Sequence, residues 1–203
     1  MLPPEAPDHL ASSVVTARRL SQAIAEGDGI SVLVEIQDSE AARAAQAGGA
    51  EGLVVRHAAF SGDTDLPLLA YGPRPDDAAA GSADAVVLSP ADGDEAFVEH
   101  VERCHELGIE YVVRVSDDEE LAHALDHVDP EIVLLTAERA EDEQAPIDRL
   151  LELLPDVPAG KLAIAELADA SRQDVEELER AGVDAVLVAG DVEALVGDAV
   201  PDV

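Results

Sequence analysis

Glu35, Arg114 and Glu166 each close a short apolar run, in VLVE, YVVR and LAIAE. A carboxylate in that position can act as a general base, and an arginine can grip a carboxylate or phosphate with its planar fork of donors. One reading of the trio is therefore a binding pocket in which Arg114 holds an anion and a glutamate takes a proton. The other is an internal salt bridge, because charges carried inward must be paired. The sequence favours the salt bridge, since no glycine-rich phosphate cradle accompanies the arginine.

Several other residues invite a chemical reading. Arg56 and His57 follow the run Gly52–Val55 and offer an anion-binding or proton-transfer pair, although a histidine at such a place is more often simply solvated. Tyr71 ends another run, but an ordinary pKa of about 10 makes tyrosine a poor acid–base group, and packing or hydrogen bonding is the expected role. His123 and His127 are four apart and share a helix face. No HExxH pattern, cysteine or third ligand accompanies them, so they read as surface residues and no metal is expected. Cys104 sits in a helical pattern with nothing nearby to lower its pKa, which suits a small core residue. Gly27–Gly29 and Gly48–Gly49 are turn glycines, not a dinucleotide fingerprint or a P-loop, and no cofactor is expected.

The elements that must position these residues are eight runs rich in Val, Leu and Ile. They are Ser31–Ile36, Gly52–Val55, Pro67–Tyr71, Ala85–Leu88, Tyr111–Val115, Ile132–Leu135, Leu162–Ala165 and Ala185–Val188. Most are followed by an amphipathic or turn-rich segment. Strands buried on both faces lose polar alternation, so the pattern reads as β/α units around a parallel sheet. Eight units predict a single (β/α)8 TIM barrel, in which residues just after each strand carry the chemistry. Residues 1–10 read as a disordered tail, and residues 11–200 as the barrel with an N-terminal helix. That helix spans Ala11–Glu26, with Val14, Val15, Leu20 and Ile24 on its inner stripe. The connections His57–Leu66 and Gly72–Asp84 are too short and irregular for full helices, which predicts shortened second and third helices and bare strand faces there. A partner subunit, making a homo- or hetero-oligomer through this thin side, is the first candidate to cover them; the N-terminal helix is the other. In the later half, Gly108 and Gly182 occupy helix C-cap positions and Ser171 with Asp174 resembles a capping box. A last short helix is expected over Asp191–Val200.

The chain has 203 residues, 45 acidic and 12 basic, with Lys161 the sole lysine and a net charge of −33. Such self-repulsion destabilises a fold in dilute buffer and is relieved by salt, so the composition reads as adaptation to a halophilic cell. It argues against nucleic acid and anionic membranes, whose phosphates need basic patches. No apolar run is long enough to span a bilayer, the start does not read as a secretory signal, and one cysteine fits a reducing cytoplasm.

Several stretches carry a further likeness. Val32–Gln37 (VLVEIQ) is similar to a first-strand motif usually written AEIK, and Gly48–Val55 (GGAEGLVV) to the approach to a second strand. Phe60–Gly62 sits near an FFGG-like turn. Leu66–Gly72 (LPLLAYG) resembles LPVLRKDF, and Ala83–Leu88 (ADAVVL) resembles GADAVLL. Gly108–Glu120 (GIEYVVRVSDDEE) resembles LGLEALVEVHDEEE, while Ala163–Glu166 and Ala181–Val188 resemble VAESGI and AGVDAVLVG. In this order the set resembles the indole-3-glycerol phosphate synthase family, within the ribulose-phosphate-binding barrels.

The resemblance implies a tryptophan-pathway carboxy-lyase that decarboxylates and cyclises a carboxyphenylamino-deoxyribulose phosphate. It implies a phosphorylated small molecule as ligand, with lysines after strands one and three, glutamates after strands one, five and seven, and an asparagine after strand six. Carried over, Glu35 and Glu166 keep two glutamates, and Gln37 occupies the first lysine position. Ala70, Tyr71 and Gly72 replace RKD, so Tyr71 stands where the general acid belongs. Arg114 replaces the fifth-strand glutamate and Thr136 the asparagine. Leu167 and Ala168 replace a phosphate-holding serine and glycine, and Ala189 or Gly190 covers the last phosphate-side glycine. The resulting expectation is a catalytic set of Glu35, Glu166 and Tyr71 and a substrate-binding set of Arg114, Arg56, Thr136 and Gly190. Ring closure needs a proton donor poised near neutral pH, and Lys161 lies at the wrong end of its strand. The expected protein is thus a diverged relative without synthase activity, with a binding, regulatory or assembly role. The alternative is an active lyase on a phosphorylated or carboxylated molecule.

Overall fold

Eight parallel strands form a closed barrel in chain order, each hydrogen-bonded to the next and β1 to β8. The computed structural model describes residues 18–56, 60, 62, 64–72, 74–137, 145–189, 192 and 195. The strands are β1 (Ser31–Glu35), β2 (Gly52–Arg56), β3 (Leu68–Tyr71), β4 (Ala85–Leu88), β5 (Glu110–Val115), β6 (Ile132–Thr136), β7 (Leu162–Glu166) and β8 (Ala185–Val188). Around them lie α1 (Arg19–Glu26), α2 (Ser39–Ala47), α3 (Pro75–Ala80), α4 (Asp94–Leu107), α5 (Asp118–His127), α6 (Pro146–Leu153) and α7 (Arg172–Ala181). The architecture is the (β/α)8 barrel that the eight apolar runs predict.

Two apolar layers are folded into those runs. Leu33, Val54, Leu69, Val87, Val112, Leu134, Ile164 and Leu187 pack together inside the barrel. Their chain neighbours Val34, Val55, Ala70, Val86, Val113, Leu135, Ala165 and Val186 face the helices in a second cluster. Successive strand residues point to opposite faces, so this one parity separates the barrel interior from the helix-facing core. Gly52 leaves β1 and β2 no room for a side chain between them, since a Cβ there would stand 2.7 Å from Leu33 Cδ2.

The helix ends follow local chemistry. Asp38 caps α2 by accepting from the Glu40 and Ala41 amides at 2.9 and 2.8 Å. Ser171 and Asp174 form the expected capping box at α7. Gly108 and Gly182 end α4 and α7 in the left-handed region, at φ 70° and 98°, where a side chain would be strained. Cys104 is fully buried on α4, and burial pushes its thiol up to about 12.

The described part of the N-terminal helix buries the stripe expected of it. Leu20 and Ile24 are buried among the inward residues of the barrel, so α1 plugs the end where the strands begin. Its first turn borrows its cap from β5, because Glu110 accepts from the Leu20 and Ser21 amides at 2.8 and 3.2 Å. Arg19 ties the same end to Asp84 at 2.9 Å and to the Asp65 carbonyl. Val14 and Val15 lie outside the described residues, as do the tail and most of the segment expected to form a last helix.

No helix joins β2 to β3 among the described residues, and α3 has only six residues. The bare faces expected there do not arise. Leu53, Val55, Leu68 and Ala70 are all buried, with Phe60 and Leu66 packed against the same cluster. The loop covers the strands with two large apolar side chains where a helix would have used several. It leaves a cleft of about 450 Å³ lined by Arg19, Phe60, Gly62, Thr64, Leu66, Leu68, Gly81, Ser82 and Asp84.

Candidate functional site

Extending the inward parity to the carboxyl ends of the strands names the side chains at the barrel mouth. They are Glu35 on β1, Arg56 on β2, Tyr71 on β3, Arg114 on β5, Thr136 on β6 and Glu166 on β7. Every strand-end residue singled out from the sequence is on this parity, and the structure connects four of them.

Arg56 is the hub. Its Nε donates to Glu35 Oε2 at 2.7 Å, and its Nη2 donates to Glu166 Oε1. Its guanidinium lies over the Tyr71 ring, 3.9 Å from the centroid. Tyr71 in turn donates its hydroxyl to Glu166 Oε2 at 3.1 Å. The Arg56, Glu35 and Glu166 side chains are only 26%, 24% and 12% exposed, so water screens these bonds weakly. Strand adjacency brings Arg56 to Glu35, since β2 is hydrogen-bonded directly to β1, and the long arginine side chain then reaches across the mouth to Glu166 on β7.

The electrostatics follow the geometry. Burial opposes charge on Arg56, but the hydrogen bonds to Glu35 and Glu166 outweigh it, and its pKa rises above the ordinary guanidinium value. Burial and then the negative field of Glu166 push the Tyr71 phenol up to about 12, while the nearby charge of Arg114 works in the other direction. Tyr71 is therefore firmly neutral near pH 7 and weak as a proton donor.

These placements revise the sequence reading. An internal salt bridge is present, and the cation that joins Glu35 to Glu166 is Arg56, the residue given the lesser part. Arg114 contributes through its field at Tyr71. Thr136 is buried at the end of β6, 2% exposed. Gln37 is exposed beyond β1, and Ala70 faces the outer core, which leaves Tyr71 as the inward residue of its strand. Lys161 pairs with Asp129 just before β7, away from the mouth. His57 and Gly190 lie outside the described residues.

A cleft of about 590 Å³ opens beside this network, lined by Glu35, Gln37, Asp38, the alanines of α2, Ala189 and Val192. It carries two carboxylates and no cation among its described lining residues. Nearby backbone amides are already engaged, since Leu167 N donates to Leu187 O at 2.9 Å and Ala189 N to Ala168 O at 3.1 Å. At the positions the resemblance gives to a phosphate-holding serine and to the last phosphate-side glycine, these two donors are turned to the chain's own carbonyls.

A second polar cluster lies on the outer surface. His123 Nε2 is 3.0 Å from Asp94 Oδ1, and the His123 and His127 rings are 4.4 Å apart. Asp94 is the third potential ligand that the spacing of the two histidines could not reveal.

Comparison with known proteins agrees with the fold and the motif order. The chain is 33% identical over 181 residues to an indole-3-glycerol phosphate synthase of Variovorax paradoxus, covering 83% of this chain and 64% of that protein. A second, from Kineococcus radiotolerans, is 36% identical over 113 residues, covering 55% of this chain and 41% of the relative. The chain thus spans less than two thirds of the length of these curated relatives. No protein-family model matches it. Among solved structures it resembles an N-acetylmannosamine-6-phosphate 2-epimerase from Clostridium perfringens, with a TM-score of 0.62 at 15% identity, covering 81% of this chain and 88% of that one. It also resembles a thiamine phosphate pyrophosphorylase from Pyrococcus furiosus, with a TM-score of 0.61 at 18% identity over 82% of this chain and 93% of that one. These two likenesses concern the barrel fold.

Proposed function

We propose that the chain is a diverged relative of the indole-3-glycerol phosphate synthases that has given up their reaction and works as a binding, regulatory or assembly protein. The observation that carries this reading is the clamp of Arg56 on Glu35 and Glu166. Both retained glutamates accept from the arginine, and Glu166 accepts from Tyr71 through its other oxygen. Glutamates held in this way are committed to an internal ion pair rather than presented to a ligand. No lysine stands at the mouth, and the adjoining cleft would repel a carboxylated, phosphorylated substrate. For an assembly role the partner would seat in the open cleft beside Phe60 and Leu66, since the strands of the thin side are already covered.

One observation favours the alternative of a working lyase. Tyr71 occupies the position that the resemblance gives to the general acid, and its hydroxyl hydrogen-bonds to a retained glutamate. The deciding experiment is conversion of the carboxyphenylamino-deoxyribulose phosphate to indole-3-glycerol phosphate, followed by fluorescence, with folded protein in multimolar KCl. No turnover is expected. Turnover abolished by both Glu35→Gln and Tyr71→Phe would overturn the proposal and make the tyrosine the proton donor.

A further inference from the structure

We propose that Asp94, His123 and His127 form a binding site for a borderline divalent cation such as Zn2+, Co2+ or Ni2+. The two histidines stand one turn apart on α5, and Asp94 reaches them from the first turn of α4. One ligand atom from each of the three lies within 4.8 Å of the others. Two ligands of a tetrahedral zinc, each about 2.0–2.1 Å from the ion, are roughly 3.3 Å apart. The 3.0 Å between His123 Nε2 and Asp94 Oδ1 is already close to that edge. Rotation of the His127 side chain within that 4.8 Å spread would complete the triangle.

The arrangement around His127 prepares it for this role. Its Nδ1 lies 2.8 Å from the His123 carbonyl oxygen. A carbonyl only accepts, so Nδ1 carries the proton, and in the neutral ring Nε2 keeps its lone pair for a metal. A backbone carbonyl on the other ring nitrogen is the usual way a protein fixes the tautomer and orientation of a ligating histidine. Two imidazoles and one carboxylate suit zinc and its neighbours better than magnesium or calcium, which prefer oxygen alone. Asp94 and His127 are exposed, so ions can enter from solvent and water can take the fourth position. A bound ion would cross-link α4 and α5. The site is separate from the barrel mouth and does not depend on the function proposed there.

The test uses untagged protein in KCl buffer, since an affinity tag would supply histidines of its own. Co2+ is titrated while its visible d–d absorption is recorded, and Zn2+ binding is followed by equilibrium dialysis. The expected result is one saturable equivalent, distinct from diffuse weak binding to surface carboxylates. His123→Ala, His127→Ala and Asp94→Asn should each weaken that equivalent by at least about tenfold. His100→Ala, on α4 outside the cluster, should leave it intact, with circular dichroism confirming that all four variants are folded. Absence of a saturable equivalent would overturn the proposal, as would an unchanged affinity in any one of the three ligand variants.

Discussion

The Tyr71 hydroxyl donates to one oxygen of Glu166 while Arg56 occupies the other, so a single carboxylate joins strands β2, β3 and β7 across the mouth. This bond has a consequence at high pH. Tyr71 ionises at about 12 in the fold against about 10 in an unfolded chain, because burial and the Glu166 charge disfavour the phenolate. With the folded pKa raised, its contribution to stability is fully present below about pH 10 and is lost as pH rises towards 12. Ultraviolet titration of tyrosinate should show a late transition that Tyr71→Phe removes. The other tyrosine, Tyr111, is also raised by burial and should remain in that variant. A wild-type titration complete near pH 10 would contradict the geometry.

Arg56→Ala should be the most damaging single change at the mouth. It leaves the part-buried Glu35 and Glu166 without their shared cation, a loss of about 3 kcal/mol. Glu35→Gln keeps a hydrogen-bond acceptor and should cost less. Replacing Arg56, Glu35 and Glu166 together by apolar residues of similar volume should be close to neutral, as expected for a buried ion group whose desolvation offsets its attraction. Urea unfolding in multimolar KCl orders the three variants.

The plug at the other end of the barrel depends on one carboxylate. Glu110→Ala strips both acceptors from the Leu20 and Ser21 amides, and each buried amide left unsatisfied costs about 1–3 kcal/mol. Hydrogen exchange should quicken along α1 first, with the β-strand amides still protected. Uniform loss of protection would mean that α1 and the barrel unfold as one unit.

The charge balance predicts a steep response to salt. With 45 acidic and 12 basic residues, lowering KCl lengthens the range of self-repulsion and should reduce the melting temperature. A melting temperature independent of KCl would remove the halophilic reading.

The strand positions were legible because parallel strands buried on two sides leave continuous Val, Leu and Ile runs, and these mark the observed strands to within a few residues. The mouth was legible in part. Glu35, Tyr71 and Glu166 end their runs on the inward side, so their meeting follows from the fold alone. The choice between Arg56 and Arg114 as their partner did not, because both end a strand in the same phase. Adjacency of β1 and β2 accounts for the pairing of Arg56 with Glu35, whereas its reach across the mouth to Glu166 on β7 does not follow from strand order. The thin side was misjudged because Phe60 and Leu66 lie in a loop without periodicity yet cover two strands. Asp94 escaped notice as a ligand because it is 29 residues from His123 and reaches it only through helix packing.

The hydrogen bonds that seal the barrel join parts of the chain made at very different times. During synthesis β1 emerges early, yet its outer edge has no strand to pair with until β8 follows, some 150 residues later. Leu20 and Ser21 likewise wait for Glu110, 90 and 89 residues downstream. A nascent chain therefore carries an unseated helix until β5 is made and an open sheet edge until β8 is made, and in that interval it is most open to pairing with other chains. Its dense negative charge then acts before folding is complete, keeping unfinished copies apart until the last strand can close the ring.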